Sequence, residues 1–522
     1  MKVKNKALWV ISTLVVLIIL FVHLETLMAL TRPSGEVWEH IRIHLLWDYT
    51  RNTIVLIFFS MLFAGIIGTL AAYFVSCFTF PLRKTLGFLL YLPLAIPPYI
   101  NAYVYADILG PFGLVHNLFG AFPRIPSLWL AVMVFTMTLF PYVYIGVRAF
   151  ITHGMTSHIE NARLLGKNER QIFFFVILPI AKTAILTGMV LVGLEVMGDF
   201  GASHYLGVHT YATAIFRSWL GFRDFDSALR LSGLAVLAVF VLLIMKSLVL
   251  QFGYRTASNA KNTAVFRKKL VGGQMILPLG FPLLIIFFTL AMPLYRLITW
   301  AIMSFHNVRF AAIGAMVSNS VFLSLFVTLL ILVLAFLIAS YTRNSSRPMA
   351  AIYGKMTLIS YSLPGAVMAM AVLFFFLNLN DLLPWQLPLA TSILMLVVGY
   401  TIRYLGIAYE NIEDGYKKIG KRYHEASRML GKGYYKTLFT VDLPMLKPFF
   451  ISSMALVFID LIRELPLTLV LRPFNFHTLA TQVYQYASDE MLPEAAVPSL
   501  IIIGISMCFI ALILRTKRRG KA

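Results

Sequence analysis

The chain is short of cysteine and of charge. Only Cys77 and Cys508 occur in 522 residues, and both lie in apolar runs. That excludes a disulfide framework and a cysteine-based zinc site. Charged residues make up 13%, about half the fraction usual in a soluble domain. Acids are the scarcest, 22 Asp and Glu against 44 Lys and Arg. Nucleotide chemistry is missing too. No Gly-Lys pair is followed by Ser or Thr, so there is no phosphate-binding loop. No His-Glu-x-x-His pair and no Gly-x-Ser-x-Gly elbow is present, which leaves a membrane hydrolase without motif support.

What is there is apolar. Hydrophobic residues reach 59%, with a mean hydropathy of +0.82. On a soluble protein a net charge of +22 would point to nucleic acid. On this chain it reads as basic cytoplasmic loops between membrane spans, with no nucleic-acid partner. Apolar runs of about 20 residues are long enough to cross a bilayer. Twelve are predicted, at 8–29, 52–76, 86–106, 127–148, 181–203, 229–250, 273–298, 318–340, 355–377, 386–408, 447–470 and 496–514. The first begins after Lys2, Lys4 and Lys6 and has no small-residue cleavage site, so it reads as a retained helix. With the N-terminus inside, the inside segments hold 33 of the 44 basic residues, Arg403 among them. Twelve spans return the basic C-terminus to the same side.

The chain also repeats. Glu160 opens ENARLLGKNERQIFFFVILP, closing at Pro179. Glu425 opens EASRMLGKGYYKTLFTVDLP, closing at Pro444. The offset is 265 residues, about half the chain. His209 to Thr213 echoes His477 to Thr481, and Glu195 and Asp199 fall on Asp460 and Glu464 at the same 265. Six spans per half insert both halves the same way up, a parallel repeat. The reading is an all-α membrane protein of about twelve transmembrane helices in two tandem homologous six-helix units, 1–255 and 271–522, joined by a basic linker at 256–270.

Each repeated loop, 157–180 and 421–445, lies between the fourth and fifth spans of its half. A helix-compatible stretch runs to Gly166 or Gly431, where a left-handed residue ends a short helix. A second stretch runs to Pro179 or Pro444, suited to the first turn of the next span. A short helix, a turn and a second helix are expected across the cytoplasmic face.

This pattern resembles the Glu-Ala-Ala loop of permease subunits of bacterial ABC importers. Two copies in one chain resemble the fused, type I importer-like permeases. The resemblance implies that the loops are coupling helices docking into two cytoplasmic ATP-binding cassette subunits. It implies roles there for Glu160, Ala162, Gly166 and Pro179, and for Glu425, Ala426, Gly431 and Pro444. ATP and Mg then sit on the partner, with no cofactor on this chain. An extracytoplasmic substrate-binding protein is the other implied partner, and the bacterial inner membrane the location. The first copy departs as Glu-Asn-Ala and the second as Glu-Ala-Ser.

Five charged residues stand out in the fifth and eleventh predicted spans: Glu195 and Asp199 in the fifth, Asp460, Arg463 and Glu464 in the eleventh. Each pair of carboxylates is four apart, hence on one helix face. Glu195 and Asp460 both follow their proline by 16 residues, roughly 24 Å of helix. A charge at bilayer depth costs about 2.5–3.5 kcal/mol, so these groups should face a wet path or one another. They read as a translocation path or gate, as interhelical pairs such as Arg463 with Glu195 or Asp199, or as shallow contacts for the binding protein. Pro97-Pro98 and Pro364-Gly365, at matching places in the third span of each half, read equally as pathway kinks or as tolerated bends. His204, His209 and His477, near the outer face, read as hydrogen-bonders rather than metal ligands.

The surroundings of these charges, Glu195 to Gly201 and Arg463 to Phe476, resemble ferric-iron importer permeases. Phosphonate, polyamine, thiamine and sulfate permeases share the expected fold and loop. An ion-coupled secondary transporter would share the repeats and buried carboxylates. The resemblance implies no enzymatic activity and no resident metal.

Overall fold

The computed structural model describes residues 6–31, 35–121, 123–251, 267–307, 309–345, 348–382 and 392–519. Most of the expected linker at 256–270, and the start of the span expected at 386–408, lie outside them. Among the described residues ten helices are long and apolar enough to cross a membrane. Two bent pairs bring the count to twelve if each is one span. They are Arg83–Ala95 with Pro98–Ile108, bent by 96°, and Ile352–Ser362 with Gly365–Asn380, bent by 115°. The breaks fall at Pro97-Pro98 and at Leu363-Pro364. A proline removes an amide donor and clashes with the carbonyl four residues back, so the first helix stops and a second starts from the proline. The chain is an integral membrane protein and all-α.

Prolines also shape the loops. The residues just before Leu178-Pro179 and Leu443-Pro444 form single wide turns, Phe173–Ile177 and Leu438–Asp442. Another, Phe287–Ala291, ends two residues before Pro293. Widening the turn makes room for the proline ring without ending the helix.

Three expected spans are displaced. The fifth ends at Gly198 rather than continuing to 203, and the eleventh at Ile462 rather than 470. In the first the backbone turns extended at Asp199, while the ring of Pro466 opposes the carbonyl of Ile462 in the second. Asp199 and Glu464 therefore do not share a helix face with Glu195 and Asp460. The tenth helix runs Ile393–Ile419, so its middle lies about ten residues later than the apolar run suggests. Its last three turns are amphipathic and bury Tyr409, Ile412 and Tyr416.

The halves exchange helices. One hydrophobic core joins the second to fifth spans of the first half to Ile285, Leu297 and Trp300 of the seventh span and Ile502 and Ile503 of the twelfth. The other joins Leu8, Ile19 and Val22 of the first span and Leu229 and Val236 of the sixth to the eighth through eleventh spans. Each core thus draws on both halves. At the end of the linker, Lys268 and Lys269 pair in parallel with Phe78 and Thr79, and the Lys268 ammonium lies 3.8 Å from Glu169.

Candidate translocation site and coupling loops

The two breaks in the bent spans face each other across a cavity of about 110 Å³. Glu195, Asp199, Asp460, Arg463 and Glu464 all line it, so the structure brings the five expected residues together. Related positions of the halves meet there: Pro97 and Pro364, Leu94 and Tyr361, Thr138 and Arg403.

The hydrogen bonds sort the charges. Arg463 pairs with Asp460 on its own helix and donates to the Leu94 carbonyl of the other half at 2.8 Å. The anticipated pairing of Arg463 with Glu195 or Asp199 is corrected, because Asp460 lies one helical turn away. Glu464 accepts from Arg403 at 3.3 Å, from the Tyr404 hydroxyl, and from the Leu467 amide at 3.1 Å. Asp199 accepts from the Ala202 amide at 2.8 Å. Asp199 and Glu464, equivalent in the repeat, therefore do the same job: each closes the start of the short helix after its break. Glu195 is held differently, by two neutral hydroxyls, Tyr142 at 3.0 Å and Tyr361 at 3.4 Å.

Arg403, Tyr142, Tyr361 and Tyr404 join a site that sequence reasoning built from five residues. Arg403 was assigned to the inside, yet it sits eleven residues into a 27-residue helix with its side chain 14% exposed. The repeat held the missing signal, since 265 residues earlier stands Thr138, another polar group within a span. With Arg403 the cavity carries four carboxylates and two guanidiniums.

The loops have the expected form. The helices Thr156–Leu164 and Arg422–Met429 are each followed by a glycine with positive φ, Gly166 at 75° and Gly431 at 80°. Ala162 and its repeat equivalent Ser427 are buried, while Ala426 is exposed. At the tip, Leu164 and Leu165 are 86% and 79% exposed, and Met429 and Leu430 are 89% and 82%. The loops are anchored unlike each other. In the second, His424 reaches Asp442 at 2.7 Å, and Arg343 lies 3.5 Å from the same carboxylate. At the equivalent places the first has Ile159 and Ile177, both buried.

Of the three histidines expected near the outer face, His204 hydrogen-bonds Tyr484 and His477 hydrogen-bonds Arg472, both at 2.9 Å. The His209 ring packs edge-on to Tyr49. No group of three metal-ligating side chains is found among the described residues.

Comparison with known proteins decides the family. The family described as binding-protein-dependent transport system inner membrane component matches twice, at residues 64–258 and 331–518. The chain belongs to this family. It has the two-unit, all-α architecture of an ABC permease, a transport component whose kind works with an ATPase and a binding protein. Similar proteins include the Fe(3+)-transport system permease protein FbpB 2 of Haemophilus influenzae, 24% identical over 463 residues and 87% of each chain. The sulfate transport system permease protein CysT of Salmonella typhimurium is 25% identical over 258 residues, 48% of this chain and 93% of its own. A probable molybdenum ABC transporter permease protein of Haloferax volcanii is 30% identical over 197 residues, 36% of this chain and 72% of its own.

Proposed function

We propose that this permease forms the translocation path for ferric iron in a binding-protein-dependent ABC importer of the bacterial plasma membrane, driven by two partner ATPase subunits. The observation that carries the importer mechanism is the pair of loop helices 265 residues apart. Each ends in a left-handed glycine and presents two exposed apolar residues. Apolar side chains in solvent at such a tip fit a partner's cleft. Glu160, Ala162, Gly166 and Pro179 shape one coupling loop, and Glu425, Ala426, Gly431 and Pro444 the other. In this reading both loops and the N- and C-termini face the cytoplasm, and units 1–255 and 271–522 together line the path. A loaded binding protein docks on the opposite face. ATP-driven closure of the ATPases then moves the loops and rocks the halves about the central cavity.

Iron is favoured by the relative that matches along 87% of both chains and by the chemistry of the cavity. Carboxylates are oxygen donors suited to a hard cation. Both guanidiniums are already engaged by Asp460 and Glu464, which argues against an oxyanion such as sulfate. The test is ATP-dependent uptake of radiolabelled ferric iron into vesicles holding the permease, its ATPase and its binding protein, with sulfate and molybdate as competitors. Uptake that needs ATP and resists both oxyanions supports the proposal. Uptake of either oxyanion in place of iron, or uptake driven by an ion gradient without ATP, overturns it.

A further inference from the structure

The halves differ beside the second coupling loop. A cleft of about 640 Å³ opens between the ends of the eighth, ninth and tenth spans. That is within the range of small-molecule sites, about 300–1,000 Å³, and several times the central cavity. Four cations border it: Arg343, Lys355, Lys417 and Lys421. Among the described lining residues Glu413 is the one acid, and it is taken by Lys417 at 3.0 Å.

Arg343 marks the floor. Its side chain is 8% exposed and lies over the Tyr416 ring at 4.3 Å. One terminal nitrogen donates to the Gly420 carbonyl. The other, Nη1, makes no hydrogen bond, with Asp442 at 3.5 Å. Its pairing with Asp442, a carboxylate that His424 also holds at 2.7 Å, is too long for a good hydrogen bond, so an anion oxygen in the cleft would give this donor a closer acceptor.

The first half supplies the contrast. Glu413, Tyr409 and Gly354 correspond to Arg148, Tyr144 and Gly87. There the Arg148 guanidinium fills the gap, donating to the Gly87 carbonyl and the Tyr144 hydroxyl, each at 2.6 Å. The second half carries an acid where the plug would be, and its cleft stays open.

We propose that this cleft binds a phosphate-bearing anion, seated on Arg343 and held from outside by Lys355 and Lys421. Charge-assisted hydrogen bonds to a guanidinium suit phosphate oxygens, and basic pockets between helix ends suit phospholipid headgroups. Lys421 also borders the groove that reaches Tyr423 and Ala426 of the loop helix, so an occupant touches the element assigned to ATPase docking. That last link rests on the importer reading; the binding itself does not.

The experiment uses the chain with its ATPase in phosphatidylcholine nanodiscs and two probes. One is phosphatidylglycerol, counted by native mass spectrometry; the other is radiolabelled inorganic phosphate. Wild type is expected to hold at least one. K355A/K421A should weaken it by roughly thirtyfold, two juxtamembrane lysines' worth, and K355R/K421R should restore it. Lys84→Ala in the first half should change nothing. Retention of the lipid alone identifies a headgroup, and retention of inorganic phosphate identifies a soluble anion. Either supports the site. No binding of either probe to wild type, or unchanged binding in K355A/K421A, overturns it. Recovery of the chain without ATPase would sink the importer reading and leave the anion measurement standing.

Discussion

The Arg463 guanidinium donates to the Leu94 carbonyl across the interface between the two halves, at 2.8 Å. Leu94 belongs to the broken third span and Arg463 stands where the eleventh span stops, so one side chain ties a break of the first half to a helix end of the second across the cavity. Arg463→Ala also strands Asp460. Breaking a buried pair by removing one partner costs about 3–5 kcal/mol. We expect a clearly lower melting temperature in detergent and at least a tenfold loss of uptake. Asp460→Asn with Arg463→Met should melt above Arg463→Ala; a double variant melting lower would show that the pair is not the source of the loss.

Glu195 is the cavity carboxylate held only by hydroxyls. Glu195→Gln keeps an oxygen for Tyr142 and Tyr361, so folding stability should change by no more than about 1 kcal/mol. Ferric-iron uptake should fall at least tenfold. Asp199→Ala should behave oppositely in kind, removing a helix cap at about 1 kcal/mol and lowering the melting temperature. Wild-type uptake by Glu195→Gln at normal abundance would remove this carboxylate from the path.

The exposed loop tips make a stoichiometric prediction. Leu164→Asp with Leu165→Asp should halve the ATPase that co-purifies. Adding Met429→Asp and Leu430→Asp should abolish it. Quantitative gels of the purified complex read this directly, and full ATPase retention in the quadruple variant would contradict docking at these tips.

The loops should also respond unequally to loss of their anchors. His424→Ala leaves Asp442 buried with only Arg343 at 3.5 Å. Amide exchange across 421–433 should rise, and exchange across 156–168 should stay as in wild type. Ile159→Ala should loosen the first loop alone, through a cavity that costs about 2–5 kcal/mol.

Much of this was legible in the sequence. Long apolar runs located the helices because a run of about 20 apolar residues crosses a bilayer only as a helix, which pairs its own backbone groups. The 265-residue echo exposed the repeat, and Gly166 and Gly431 announced their turns because a left-handed residue favours glycine. The ends of the spans were less legible. Hydropathy continues smoothly through Asp199 and across Pro466, so the breaks that place the carboxylates at helix starts do not show in an average. Arg403 was less legible because it falls near the end of the expected run 386–408, whereas its helix continues eleven residues further along an amphipathic stretch and sets it deeper. Pairing was least legible, since Arg463 had three carboxylates within reach on paper and only packing chooses Asp460.

The exchange of helices between the cores bears on how the molecule is made. Synthesis delivers the first half's central helices long before Ile285, Trp300, Ile502 and Ile503, which complete the core around them. The earliest spans meanwhile wait for the eighth to eleventh. The emerging chain must therefore hold unfinished apolar interfaces until its twelfth span arrives. The core around the second to fifth spans cannot close before Ile502 and Ile503 arrive, and a chain cut short before Leu492 fails in its first half as well as its second.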